Sequence, residues 1–194
     1  MEFNIKNTQV YGLENAIIKS GNPMRTSFTS KENPTEKDLK RAKVLGNAKP
    51  NSGHDCYLKG TIVQFDITAP LYFWKQAQRY TWFDFISSQS TMHCIMNFDI
   101  KKQCNGYVYT ETLERLEKEI KEYNSQETKD KELWYSVISN IPSGFNLGAT
   151  ITTNYLQLKT MYHQRKGHKL VKEWGYFCEW CEELPMFKEL CLAK

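Results

Sequence analysis

No apolar run in this chain of 194 residues approaches the roughly 20 residues needed to cross a bilayer, which excludes a helical membrane span. The amino terminus, MEFNIKNTQ, has no apolar core of the signal-peptide kind, so export is not expected. A dominant charge of one sign is missing too. The formal net charge is +4 with acids and bases interleaved, so no nucleic-acid partner is expected, and a small anionic ligand suits the chain. There is no internal repeat, no low-complexity segment and no linker long enough to divide it, so length and composition fit a single domain over residues 1–194. The pair Cys178-x-x-Cys181 lacks a second pair at matching spacing. Even with His163 and His168 nearby in sequence, that is a weak zinc signal, and no metal site is expected. The six cysteines are scattered and are expected as reduced thiols in a cytoplasm. Ser90 and His93 suggest a nucleophile and base, but no orienting carboxylate accompanies them.

What the chain does have is an aromatic fraction of 13% and a patterned segment from Phe65 to His93. Large rings supply much of a core's buried area, and they also stack on bases and flavins. Thr61 to Thr68 alternates and is rich in β-branched residues, which predicts a strand continuing to Pro70. An aromatic-rich helix over Leu71 to Phe85 follows, with Gln76 and Arg79 three apart on one face, and then a polar, Ser-rich loop. Elsewhere, Tyr11 to Ser20 reads as a short helix or strand ending at Gly21-Asn22-Pro23, and Arg25 to Pro34 as a polar loop. Thr35 followed by Asp38 marks the start of a surface helix running to Leu45, broken by Lys49-Pro50-Asn51-Ser52-Gly53. Glu111 to Tyr123 is the clearest amphipathic helix, with Leu113, Leu116, Ile120 and Tyr123 on one stripe. Lys131 to Ile141 predicts another helix, stopped by Pro142. Leu147 to Thr153 is a second strand, and Asn154 caps a helix to about Arg165. Lys166-Gly167 interrupts it before a last helix over His168 to Leu184. The fold class expected is α/β: a central sheet packed with helices.

The order of these residues resembles the flavin-dependent thymidylate synthases. Ala69-Pro70 at the strand end, Gln76 and Arg79 fall where that family's signature has them, and Gly53-His54 lies sixteen residues before Pro70. Ile141-Pro142, Thr152, Asn154 and Arg165 resemble a downstream block, with spacings of 12 from Pro142 to Asn154 and 11 from Asn154 to Arg165. The resemblance covers about residues 11–185. It implies a uridine nucleotide of the dUMP type held by Gln76, Arg79, Ser88, Ser90 and Arg165, with Arg165 as the catalytic residue that polarises the pyrimidine ring. It implies FAD held by His54, Arg79, Tyr80 and Asn154, one-carbon transfer to the pyrimidine, and a homotetramer whose sites lie between subunits. Bland readings stand beside these. Arg79 can cover apolar neighbours with its stem, His54 can be a solvated loop residue, Asn154 can simply cap its helix, and Arg165 is favoured at a helix end by the dipole.

The departures from the family concentrate on charge. Its His and second Arg correspond to Tyr80 and Thr81, and further Arg positions to Leu156, to Ile138 and to Thr91 or Met92; a loop Glu corresponds to Ser87 or Ser88. Each lost charge-assisted contact is worth about 1.5–3 kcal/mol, so a weakened FAD site is expected. Lys59, Lys159, Arg115 and the Lys166–Lys169 region are candidate substitutes. The alternative is a catalytically silent relative that keeps the fold and binds nucleotide or a macromolecule. A small, lysine-rich, diverged copy of this kind suits a mobile element or bacteriophage genome.

Overall fold

Two strands of period-2 burial organise the chain, and in the computed structural model, which describes residues 2–49 and 52–193, the other elements attach to them. The order is β1 (Asn4–Tyr11), α1 (Leu13–Lys19), α2 (Glu36–Gly46), β2 (Ile62–Pro70), α3 (Leu71–Ala77), β3 (Asp84–Ser88), α4 (Thr91–Cys94) and α5 (Ile100–Gln103). It continues with α6 (Thr110–Ser125), α7 (Lys131–Ser139), β4 (Asn146–Asn154), α8 (Tyr155–Arg165) and α9 (Tyr176–Glu183). The strands form one antiparallel sheet in the order β1-β2-β4-β3, so the two alternating strands are central. Val63, Phe65, Ile67 and Ala69 point one way from β2 and are buried, as the pleat requires of a half-buried strand.

The chain divides into two compact units, and β2 and β4 run through both. The first consists of Met1–Asn4, Asp66–Arg79 and Phe85–Thr150. Its core is built by Ile95, Ile100, Leu116, Ile120, Val137 and Phe145, so the amphipathic stripe of α6 is buried as its period predicts. In the same unit Asn146 and Gln103 exchange side-chain and backbone hydrogen bonds at 2.6 and 2.8 Å, which satisfies two buried amides. Phe73, Trp74 and Ala77 bury one face of α3, and the Trp74 indole donates to the Ala69 carbonyl at 3.1 Å.

The second unit consists of Ile5–Phe65, Tyr80–Asp84 and Ile151–Lys194. Its core is aromatic: Phe177 lies between Trp174 (5.4 Å) and Trp180 (5.5 Å), Trp180 packs on Phe65 (4.5 Å), and Phe83 sits 5.9 Å from Phe65. Lys159 of α8 is buried with its ammonium on Asp55 (2.6 Å) and on the Gly46 carbonyl (2.7 Å).

Several sequence expectations need correction. The helix after Pro70 does not reach Phe85: it ends at Ala77, Tyr80–Phe83 make a turn, and β3 begins at Asp84. Arg79 therefore lies past the helix end and shares no helical face with Gln76. The reason is tertiary, because burying Phe83 against Phe65 and Phe177 outweighs one more turn of helix. The final helix is also shorter than expected: a π-helical turn, Val171–Gly175, precedes α9. Strand β1 has no counterpart in the sequence reading, since only Ile5 of its residues is buried and no alternation shows. The expected break after α2 lies partly at Pro50 and Asn51, outside the described residues.

Helix α2 starts as predicted, with a reciprocal capping box between Thr35 and Asp38, but Asp38 is more than a cap. It is 1% exposed and receives Arg41 (2.8 Å), Lys31 (3.2 Å) and Arg25 (3.3 Å). The hydrogen bonds from Thr35 first, then that from Arg41, hold its carboxyl far below the ordinary range. The folded chain therefore binds this proton less readily than the unfolded one. The stabilisation is fully present above the unfolded carboxyl pKa of about 4 and is lost as pH falls below it. Asp38→Asn is expected to cost about 3 kcal/mol, because three cations lose their shared partner. Urea unfolding between pH 6 and pH 2 checks this: the variant has a lower midpoint at pH 6 and a flatter acid limb, and an unchanged midpoint contradicts it.

Candidate functional site

Arg165 is the last residue of α8, and its placement begins at the other end of that helix. Asn154 caps the helix by accepting the Gln157 amide at 3.0 Å. At the C-terminus the Lys166 amide closes onto Tyr162 O (2.8 Å), Gly167 takes a left-handed φ of 80°, and the His168 amide returns to Arg165 O (2.9 Å). That reversal, followed by the π-helical turn, carries Trp174 back beneath the helix end, fully buried at 0% exposure. The Arg165 guanidinium lies over the Trp174 ring, 4.4 Å from its centroid, a cation–π contact worth about 1–2 kcal/mol when partly desolvated. Its Nε donates to the Tyr80 hydroxyl at 2.8 Å, and that hydroxyl donates to Gln164 Oε1 at 3.0 Å. The Tyr80 and Trp174 rings meet edge-on at 6.3 Å. His168 also lies edge-on to Trp174 at 6.3 Å, and its Nδ1 accepts the Leu170 amide at 3.1 Å. Burial first, then the Arg165 charge, lowers the His168 pKa, which favours the neutral ring, and the amide accepted at Nδ1 places the neutral ring's proton on Nε2.

Of the residues expected to hold flavin, this unit contains His54, Tyr80 and Asn154. His54 is exposed, on a 3₁₀ turn entered through Gly53 at a left-handed φ of 75°. Asn154 is buried with its carbonyl oxygen used as the cap, and Tyr80 has both hydroxyl bonds made within the chain. A flavin would therefore find fewer open polar groups here than the resemblance implies. Lys159, a candidate substitute cation, is committed to Asp55.

The first unit holds the other expected residues. Gln76 is half-buried in the last turn of α3 and bonded within the chain. Arg79 is exposed, with no ion pair to another described residue. Ser88 ends β3 and is exposed, while Ser90 caps α4 by accepting the His93 amide at 3.4 Å. The His93 group that reaches Ser90 is thus its backbone amide. Between the two serines, Gln89 pairs with Gly148 through its own amide (2.9 Å) and its side-chain carbonyl (2.7 Å), which pins the end of β3 to β4. Arg115, another candidate cation, is paired on the surface with Glu119 at 3.0 Å.

Cys178 and Cys181 are buried on α9 with free thiols. Burial, then neighbouring charge, pushes the Cys178 thiol up to about 11 and raises Cys181 as well, so neither is a ready thiolate at neutral pH. Among the described residues no cluster of His, Cys, Asp or Glu could hold a metal. Surface clefts lined by Met24–Ser30 and by Ile5, Thr8, Trp180 and Pro185 include none of the expected site residues. The sequence reading names Tyr80 among the flavin contacts and Arg165 among the nucleotide contacts, whereas here the two bond to each other; it names neither Trp174 nor Gln164. Trp174 follows a glycine turn and carries no local mark that separates it from the other core aromatics.

No family model matches the sequence, and no curated protein matches it. Solved structures do. The chain is similar to the flavin-dependent thymidylate synthase ThyX from Helicobacter pylori complexed with FAD and dUMP, with 17% identity and a TM-score of 0.71 over 99% of this chain and 98% of that one. A second crystal structure of Thymidylate Synthase X from Helicobacter pylori, with FAD and dUMP, gives 15% identity and a TM-score of 0.72 over the same shares. The chain therefore has the fold of the flavin-dependent thymidylate synthases over nearly its whole length. The resemblance read from scattered blocks of sequence points to the same fold that these solved structures share with the chain.

Proposed function

We propose that this chain binds a pyrimidine nucleotide of the dUMP type and that Arg165 is the group that meets the pyrimidine ring. The observation that carries the reading is the Arg165 guanidinium, laid on Trp174 at 4.4 Å and tied to Tyr80 at 2.8 Å, in a chain whose fold is shared with an enzyme solved with dUMP. A guanidinium held in one pose beside a pyrimidine carbonyl stabilises negative charge developing on the ring without reorganising when it appears. Gln76, Arg79, Ser88 and Ser90 are the proposed contacts from the first unit, and one-carbon transfer to the pyrimidine is the proposed reaction. In a homotetramer, proposed here from the resemblance, such contacts can come from different copies of the chain. Exposed Trp82, Phe85 and Ile86 add support for association, because an uncovered edge strand with apolar side chains invites pairing. Helix α3 itself gives less support of this kind, since its Phe73 and Trp74 rings are buried.

FAD, when bound, would supply the hydride for this chemistry; His54 and Arg79 are the residues with exposed side chains that would hold it. The catalytically silent reading gains from one observation, that the Tyr80 hydroxyl and the Asn154 side-chain oxygen are already engaged inside the chain.

Calorimetry is expected to show dUMP binding, weakened by about 1.5–3 kcal/mol in Arg165→Ala through loss of a charge-assisted bond. Silence at millimolar dUMP would remove the nucleotide reading. The purified protein is expected to be colourless or nearly so, and Thr81→Arg with Leu156→Arg to raise its FAD affinity in an absorbance titration. Stoichiometric yellow flavin in the native protein would show that other residues hold the cofactor. Sedimentation at micromolar concentration is expected to give a tetramer, and a monomer alone is incompatible with a site shared between subunits.

A further inference from the structure

Tyr80 stands where the resembling family carries a His, and its hydroxyl and ring both engage Arg165 rather than open space. We infer that Tyr80 is a positioning residue that fixes the Arg165 guanidinium through a directed hydroxyl relay. The direction of the relay follows from the atoms. An arginine Nε can only donate, so the Tyr80 oxygen must accept from it at 2.8 Å. The single hydroxyl proton then goes to Gln164 Oε1 at 3.0 Å, which keeps an oxygen lone pair turned toward Nε. Trp174 holds the face of the guanidinium at 4.4 Å and the Tyr80 ring flanks it at 5.4 Å. One edge atom and one face are thereby fixed, which sets the plane of the cation and its rotation within that plane. Arginine's long stem otherwise samples many rotamers, and a donor fork is effective only when its plane matches the acceptor. The inference rests on the nucleotide reading, in which Arg165 meets the ring; Tyr80 acts through Arg165 and not on the ligand.

Tyr80→Phe keeps the ring and removes the hydroxyl. In calorimetry with dUMP, this change is expected to weaken binding about tenfold in the native background and by less than about twofold in an Arg165→Ala background, since coupled residues depart from additivity. Equal losses in both backgrounds mean that Tyr80 touches the ligand itself, and an unchanged affinity in Tyr80→Phe means that the hydroxyl positions nothing; either overturns the proposal. A second readout needs no nucleotide. The NMR resonance of the Arg165 Nε–H is expected to exchange slowly with water in the native protein and fast in Tyr80→Phe, and to shift in the surface variant Gln164→Leu, with the backbone amide spectrum retained. A native protein that fails to bind dUMP refutes the nucleotide reading but leaves this signal to decide the positioning claim. An Nε–H resonance unmoved by both variants overturns it.

Discussion

The buried indole of Trp174 is the constraint on which the second unit depends. It is fully enclosed, it touches Phe177, and through Phe177 and Trp180 it is joined to Phe65 on β2. Phe83 enters the same cluster from the Tyr80–Phe83 turn. Aromatic cores of this kind are close-packed and tolerate little displacement. The turn, the end of α8 and the π-helical turn are therefore held in register by one set of rings, and Arg165 and Tyr80 take their positions from it. The cation at the candidate site is oriented by the core beneath it.

Charge is deployed in this chain largely for architecture. Asp38 gathers Arg25, Lys31 and Arg41 around one buried carboxylate, and Lys159 closes onto Asp55 and the end of α2. Both clusters leave their cations satisfied within the fold, so Lys159, one candidate replacement for the arginines that the family resemblance calls for, is already committed to Asp55. Arg165 counts a neutral hydroxyl and an aromatic face among its contacts, and both act on the orientation of its guanidinium.

Tyr80 shows how a substitution can be misread in one dimension. Against the family pattern it is a lost ionisable group. In the structure its hydroxyl is occupied on both sides, and the more informative comparison is with Arg165 and Gln164, residues 85 and 84 positions away in the chain. Asn154 is the opposite case. Its position before a helical run predicts a cap, and the cap forms, which limits what else its side chain oxygen can do.

Periodicity alone determined β2, β4, α6, α7 and α8, and the caps at Thr35 and Asn154, because alternation, helical stripes and capping chemistry are local and outweigh what surrounds them. The family resemblance was legible from the same source, since Pro70, Pro142, Asn154 and Arg165 keep their spacing along the chain. Tertiary structure decided the rest. Helix α3 stops at Ala77 and β3 begins at Asp84 because Phe83 is worth more against Phe65 and Phe177 than in another helical turn. Strand β1 exists because β2 offers it a ladder of hydrogen bonds, not because its own residues alternate. Trp174 and Gln164 join the site through contacts whose partners lie far off in sequence or beyond a reversal, and a one-dimensional pattern carries no record of which distant rings and hydroxyls the folded chain will bring together.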